Sequence, residues 1–325
     1  MWARLASLIL ILALAACAPM QVQQAGKPEL GFQGPHLGLY YVARDGARLG
    51  LTRWMPQGEV KAAVVAVHGM NDYANAFHLA APIWAKAGIA TYGYDQRGFG
   101  RSPGRGIWGG EELMVDDLRT MVALVRAAHP GVPMVVVGES MGGSVAIRAF
   151  ASDQPPAADR LVLMAPGVWG WSNQPLPYRT SLWFAAEVTA SKVYTPPRWL
   201  SRRVSPTDNQ AEMIEMGRDP LMVWGARSDT LYGLVSLMER AWASTGQVKV
   251  PVLYLYGAND QIIPKTPSYQ AASRLKAGDR SAYYAKGWHL LTRDLEGPMV
   301  AKDVASFILD PGQPLPSATP PIPKP

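Results

Sequence analysis

Residues 134–143 read Met-Val-Val-Val-Gly-Glu-Ser-Met-Gly-Gly. The first four form a short, apolar, β-branched run, the composition of a strand buried on both faces. Gly138-Glu139-Ser140-Met141-Gly142 follows at once, and residues 143–151 carry a helical pattern. A serine between a buried strand and a helix sits on a sharp turn with strained backbone angles, and flanking glycines leave room for that turn. The helix N-terminus behind it favours developing negative charge. Ser140 is therefore the candidate nucleophile.

The same alternation runs outward in both directions. Upstream lie the apolar runs 62–67 (AAVVAV) and 89–94 (IATYGY), separated by a helical pattern near 76–87. A further helix is predicted near 111–128, where Leu113, Leu118, Met121, Leu124 and Val125 recur at i, i+3, i+4 spacing. Downstream come 161–164 (LVLM), 252–256 (VLYLY) and 281–284. Continuous apolar strands alternating with helices imply an α/β fold, a mainly parallel sheet with helices on both faces. Residues 39–42 and 49–54 flank Asp45-Gly46 and predict an antiparallel hairpin ahead of it. The alternation breaks over 168–247, where Trp169, Trp171, Trp183, Trp199, Trp224 and Trp242 stand. This stretch reads as a helical cap inserted between core segments 36–167 and 248–310.

A serine hydroxyl needs a base, and the base needs an orienting acid. Five histidines are present, and only His289 follows Ser140 in the chain. It lies just after the last predicted strand and is the candidate base. Asp260 follows the strand 252–256 in Tyr256-Gly257-Ala258-Asn259-Asp260 and is the candidate acid; Asp229 and Asp279 follow no strand. The oxyanion needs two backbone N–H donors. Met141, after the nucleophile, supplies one, and the loop His68-Gly69-Met70-Asn71-Asp72 supplies the other through Met70. His68 reads as a structural loop histidine. Asp95 and Arg97, in the glycine-rich stretch 95–102, read as fixing their loop.

The two ends of the chain are of another kind. Arg4 precedes an apolar run, residues 5–16, that ends Leu14-Ala15-Ala16-Cys17. The run is of signal-peptide length and short for a bilayer span. Cys17 is the single cysteine of the chain, so no intrachain disulfide can form. The ending resembles the bacterial lipobox, which implies removal of residues 1–16 and lipidation of Cys17, a stable membrane anchor. Ala18 after the cysteine favours the outer membrane, by resemblance to enterobacterial sorting. Residues 17–35 read as a tether. Residues 311–325, rich in proline, read as an extended or disordered tail. The net charge of +6 comes with no basic run beyond Arg202-Arg203, which excludes nucleic acid as the expected partner.

Five segments resemble, in order, the monoglyceride lipase and lysophospholipase branch of the α/β-hydrolases: HGMNDYANAF, YDQRGFGRSPG, GESMGG, YGANDQIIP and KGWHLL. The resemblance spans residues 40–309. It implies the α/β-hydrolase fold, cleavage of a monoacyl ester of glycerol or a lysophospholipid, and no cofactor or metal. It also implies the roles given to Ser140, Asp260, His289, Met70 and Met141. Three places depart from the pattern. Asn71-Asp72-Tyr73 stands for the usual Gly-Glu-His, Glu139 for the usual histidine before the nucleophile, and Leu290-Leu291-Thr292 for Glu-Leu-Leu. A small soluble ester or thioester, an acyl acceptor other than water, and a non-catalytic envelope lipoprotein are the alternative readings. The cap's tryptophans and Met213, Met216 and Met222 suit either an acyl channel or the cap's own core.

Overall fold

The computed structural model describes residues 20–195 and 203–325. The predicted signal segment, Cys17 and Trp199 lie outside the described residues. In chain order the elements are β1 (His36–Leu37), β2 (Tyr40–Val42), β3 (Arg48–Trp54), β4 (Ala62–Val67), α1 (Ala81–Lys86), β5 (Ile89–Tyr94), α2 (Glu111–Ala128), β6 (Met134–Glu139), α3 (Met141–Phe150) and β7 (Arg160–Met164). They continue with α4 (Leu176–Thr189), β8 (Val193–Tyr194), α5 (Gln210–Arg218), β9 (Ala226–Arg227), α6 (Ser228–Ser244), β10 (Val252–Gly257), α7 (Lys265–Ala272), β11 (Arg280–Tyr284) and α8 (Gly297–Leu309).

Nine strands form one sheet in the order β1-β2-β3-β5-β4-β6-β7-β10-β11. From β5 to β11 every pairing is parallel; β3 joins β5 antiparallel, and β2 pairs with β3 as the predicted hairpin. Alternate side chains enter opposite faces. Val65 and Val67 meet Leu118, Met121, Val145 and Phe150 of α2 and α3. Val64 and Ala66 meet Trp84 and Phe307 of α1 and α8 on the other face. The indole N–H of Trp84 donates to Ala301 O at 2.9 Å and fastens α1 to α8. The chain leaves β4 for β5 on one side and reaches β6 on the other. That reversal opens a crevice at the carboxyl ends of β4 and β6, where open α/β sheets bind ligands.

Three local expectations change. The helix predicted near 76–87 divides into a 3-10 turn, Ala74–Phe77, and α1. Pro82 is the reason, since it has no N–H and fits only a first turn. The segment read as a tether docks in part: Gln23 N–H donates to Trp108 O at 2.8 Å, and Gln21 N–H to Asp229 Oδ2 at 3.0 Å. The proline-rich tail is extended but packed. Tyr283 N–H donates to Pro320 O at 2.8 Å, and Leu315 and Ile322 are buried. Prolines cannot donate to a ladder, yet their carbonyls accept, so the tail covers edge strand β11.

Within 168–247, α6 lies against α3 and α4 lies on α6, while β8 and β9 pair antiparallel. Trp171 packs on Tyr232 with ring centroids 5.0 Å apart. Trp183, Phe184 and Leu176 of the α4 stretch stay exposed. Among the described residues no helix is long and apolar enough to cross a membrane.

Candidate active site

Ser140 occupies the turn between β6 and α3 with φ 52° and ψ −118°. A side chain rarely adopts that backbone, which costs about 1–3 kcal/mol and persists only where the surroundings fix it. Here they do. Ser140 N–H donates to Met164 O at 3.0 Å, and its carbonyl accepts from Gly167 N–H at 2.8 Å. Glycine is required beside it, because a Cβ on Gly142 would stand 2.1 Å from Val67 O. Gly142→Ala is therefore expected to destabilise the protein by about 3 kcal/mol, the cost of overpacking against backbone. Thermal denaturation measures this, and an unchanged midpoint would mean that α3 can shift away from β4.

The loop after β4 lies directly against this turn. A Cβ on Gly69 would come 3.1 Å from Ser140 Cβ. Asn71 takes φ 66°, a left-handed residue that turns the chain back after Met70. His68 is structural, as expected. Its Nε2 accepts from Gln96 N–H at 2.8 Å and its Nδ1 lies 2.7 Å from Gly69 O, so the buried ring is the neutral Nδ1–H tautomer. Burial lowers its pKa in the same sense. Asp95 and Arg97 fix their loops. Asp95 accepts from Ala74 N–H and Arg101, and Arg97 forks onto Asp117 and Asp45.

Asp260 and His289 meet. His289 Nδ1 lies 2.8 Å from Asp260 Oδ2, and both residues are buried. Asp260 Oδ1 accepts from Ile262 N–H at 2.8 Å and Ile263 N–H at 2.9 Å, so the carboxylate cannot rotate freely. Burial alone would lower the His289 pKa, but the Asp260 charge and hydrogen bond, with Glu139 beyond, hold it above the ordinary imidazole range. Asp229 and Asp279 are engaged elsewhere, with Arg227 and with Val252 N–H. The cap clips onto both loops: Pro206 O accepts from His289 N–H and Leu290 N–H, and Val223 N–H donates to Asn71 O at 3.0 Å.

One cluster escaped the sequence reading. Arg293, four residues after His289, donates from Nη1 to Asp72 Oδ2 and from Nη2 to Glu139 Oε1, each at 2.7 Å. Glu212 of α5 stands 3.9 Å from Nη1, and its other oxygen lies 3.3 Å from His78 Nε2. The Glu212 hydrogen bond raises the His78 pKa. Arg293, Asp72, Glu212 and His78 border a cavity of about 170 Å³ between the core and α5, with Met216 and Met222 on its wall. His78, Glu212 and Glu215 can each bring one ligand atom within 4.8 Å of the others, the one metal-competent set among the described residues. A second groove of about 330 Å³ runs between Trp171, Leu176, Trp183 and Tyr232 of the cap.

A strand–turn serine, a buried histidine–carboxylate pair and a glycine loop beside the serine make up the equipment of acyl transfer. The family model described as serine aminopeptidase, S33 (Hydrolase_4), matches residues 58–296. The chain belongs to this family. It is a serine hydrolase acting on carboxylic esters, with the α/β-hydrolase fold. The monoacylglycerol lipase of Mycolicibacterium smegmatis is 28% identical over 81% of this chain and 94% of its own length. Human monoglyceride lipase is 26% identical over 80% of this chain and 84% of its own. A soluble variant of monoglyceride lipase from Saccharomyces cerevisiae, solved with a substrate analog, superposes with a TM-score of 0.69 at 20% identity. It covers 93% of this chain and all of its own.

Proposed function

We propose that this serine hydrolase is a monoacylglycerol lipase of the bacterial cell envelope, held there through lipidated Cys17. Ser140 Oγ attacks the ester carbonyl, and His289 Nε2 takes its proton because Nδ1 is committed to Asp260. The N–H groups of Met70 and Met141 receive the oxyanion, and His289 returns the proton to the departing glycerol. Water then releases the fatty acid by the same steps in reverse roles. The observation that carries the reading is the buried His289–Asp260 pair at 2.8 Å, with Oδ1 already locked by two backbone donors.

Two further observations support the substrate. The relatives over most of the chain are monoacylglycerol lipases. The cavity beside Asp72 is lined by Asp72, Glu212, Glu215 and Asp219 against Arg293 and His78. That excess of carboxylates repels a phosphate and accepts an uncharged polyol. The exposed Leu176, Trp183 and Phe184 of the cap suit contact with lipid.

Purified enzyme is expected to hydrolyse 1-monoacylglycerols with kcat/KM at least about tenfold above lysophosphatidylcholine of the same chain, a difference of about 1.4 kcal/mol. p-Nitrophenyl esters from C2 to C16 give the chain-length profile. Activity confined to C2–C4 would discard the lipid substrate and keep the mechanism. Mass spectrometry of the N-terminal peptide tests the anchor, and an unmodified Cys17 in envelope-derived protein would remove it.

A further inference from the structure

Arg293 is the residue that joins what the chain keeps far apart. Asp72 closes the loop that carries Met70, Glu139 is the residue before Ser140, and Arg293 itself lies in the His289 loop. We propose that Arg293 is a positioning residue for ester hydrolysis, whose forked guanidinium locks the oxyanion loop, the nucleophile turn and the histidine loop into one geometry. This rests on the roles proposed above for Ser140, His289, Met70 and Met141.

The geometry is specific to arginine. Nη1 and Nη2 donate to two different carboxylates at 2.7 Å each, a fork that the single ammonium of lysine cannot reproduce. Arg293 is only 2% exposed, and Glu139 only 1%. The second oxygen of Glu139 is buried with no protein partner, so Arg293 is its anchor among the described residues. The backbone of Arg293 is held as well. Its carbonyl accepts from Asn209 Nδ2 at 3.1 Å, and its N–H donates to Leu290 O at 2.7 Å.

The cluster also sets charge beside the base. The charged groups facing His289 are Asp260, Glu139 and Arg293. Those facing Arg293 are Asp72, Glu139 and Glu212, with His68 and His78 beyond. Glu139 raises the His289 pKa, and Arg293 lowers it. Since neutral His289 is the base, the acid limb of the kcat/KM profile follows this balance.

The test uses the full-chain enzyme on p-nitrophenyl butyrate. Arg293→Lys keeps the charge and loses the fork. It should lower kcat by about 10- to 100-fold, the cost of misplacing catalytic groups by about an ångström, with KM within about threefold. Its acid limb should stay at the wild-type pH. Arg293→Gln should lose kcat and move the limb to higher pH, because the guanidinium that lowers the His289 pKa is gone. Glu139→Gln keeps an oxygen acceptor and guards against variants that fail to fold; it should move the limb to lower pH. A wild-type kcat in Arg293→Lys, or melting temperatures that fall while kcat and the limbs stay put, would overturn the proposal. So would an unmoved limb in Glu139→Gln. Fluorophosphonate labelling and Ser140→Ala run alongside. If Ser140→Ala keeps its activity, the triad reading itself falls; if it is dead and the Arg293 variants match wild type, only the positioning role falls.

Discussion

Ser140→Ala is expected to lose kcat on any ester by about 10⁴- to 10⁶-fold while the protein stays folded. The size of the loss follows from the mechanism. Without Oγ there is no acyl-enzyme, and what remains is water attack in a site with an intact oxyanion loop, which leaves some catalysis over solution. The retained fold follows from the turn. The Ser140 side chain caps nothing at the start of α3. The bonds that hold φ at 52° come from its backbone N–H and C=O, to Met164 and Gly167. Alanine bears the same Cβ and meets the same strain. Two measurements together decide the matter: a p-nitrophenyl ester assay, and a melting curve superimposable on the wild type. A variant within about tenfold of wild-type kcat would mean that another group carries the acyl chain, and it would displace Ser140 from the mechanism.

The parts of this molecule that were legible in the sequence share a physical feature. Strands β4, β5, β6, β7 and β10 are buried on both faces, so each appears as a short, mostly apolar run. Ser140 and Asp260 were legible because each lies within a few residues of the end of such a run, and His289 because it lies just past β11, where a parallel sheet delivers side chains to one edge. Arg293 was not. Its partners lie 221 and 154 residues away, and nothing local distinguishes a buried arginine from a solvated one. The clues were the departures themselves, Asp72 and Glu139, two carboxylates placed beside the nucleophile and in need of a cation. The tail misled for a related reason. Proline content fixes an extended backbone, but only the edge of β11 decides whether that backbone is free or covered. Met216 and Met222 show the same limit, since helical spacing could not say that they border a polar cavity between α5 and the core.

Asp260→Asn is expected to lower kcat by about 10⁴-fold with the fold retained. The environment of the carboxylate decides the direction in which the new amide points. Ile262 N–H and Ile263 N–H both donate to Oδ1, at 2.8 and 2.9 Å. An amide NH₂ at that position would face two donors, so the asparagine oxygen takes it and the fold keeps both bonds. The NH₂ then replaces Oδ2, 2.8 Å from His289 Nδ1. Nδ1 must become an acceptor, which moves the ring proton to Nε2, the nitrogen that has to receive the proton of Ser140. The variant thus holds its base in the wrong tautomer. The pH profile carries an independent sign. In the wild type, burial lowers the His289 pKa, and the Asp260 charge and hydrogen bond, with Glu139, more than offset it. Without the aspartate charge the pKa falls, so the acid limb of kcat/KM moves to lower pH even as the plateau drops. Steady-state rates from about pH 4 to 9 read both effects. A plateau within about a tenth of wild type would show that His289 keeps its tautomer without Asp260. An acid limb displaced upward would show that Asp260 does not supply the charge His289 feels.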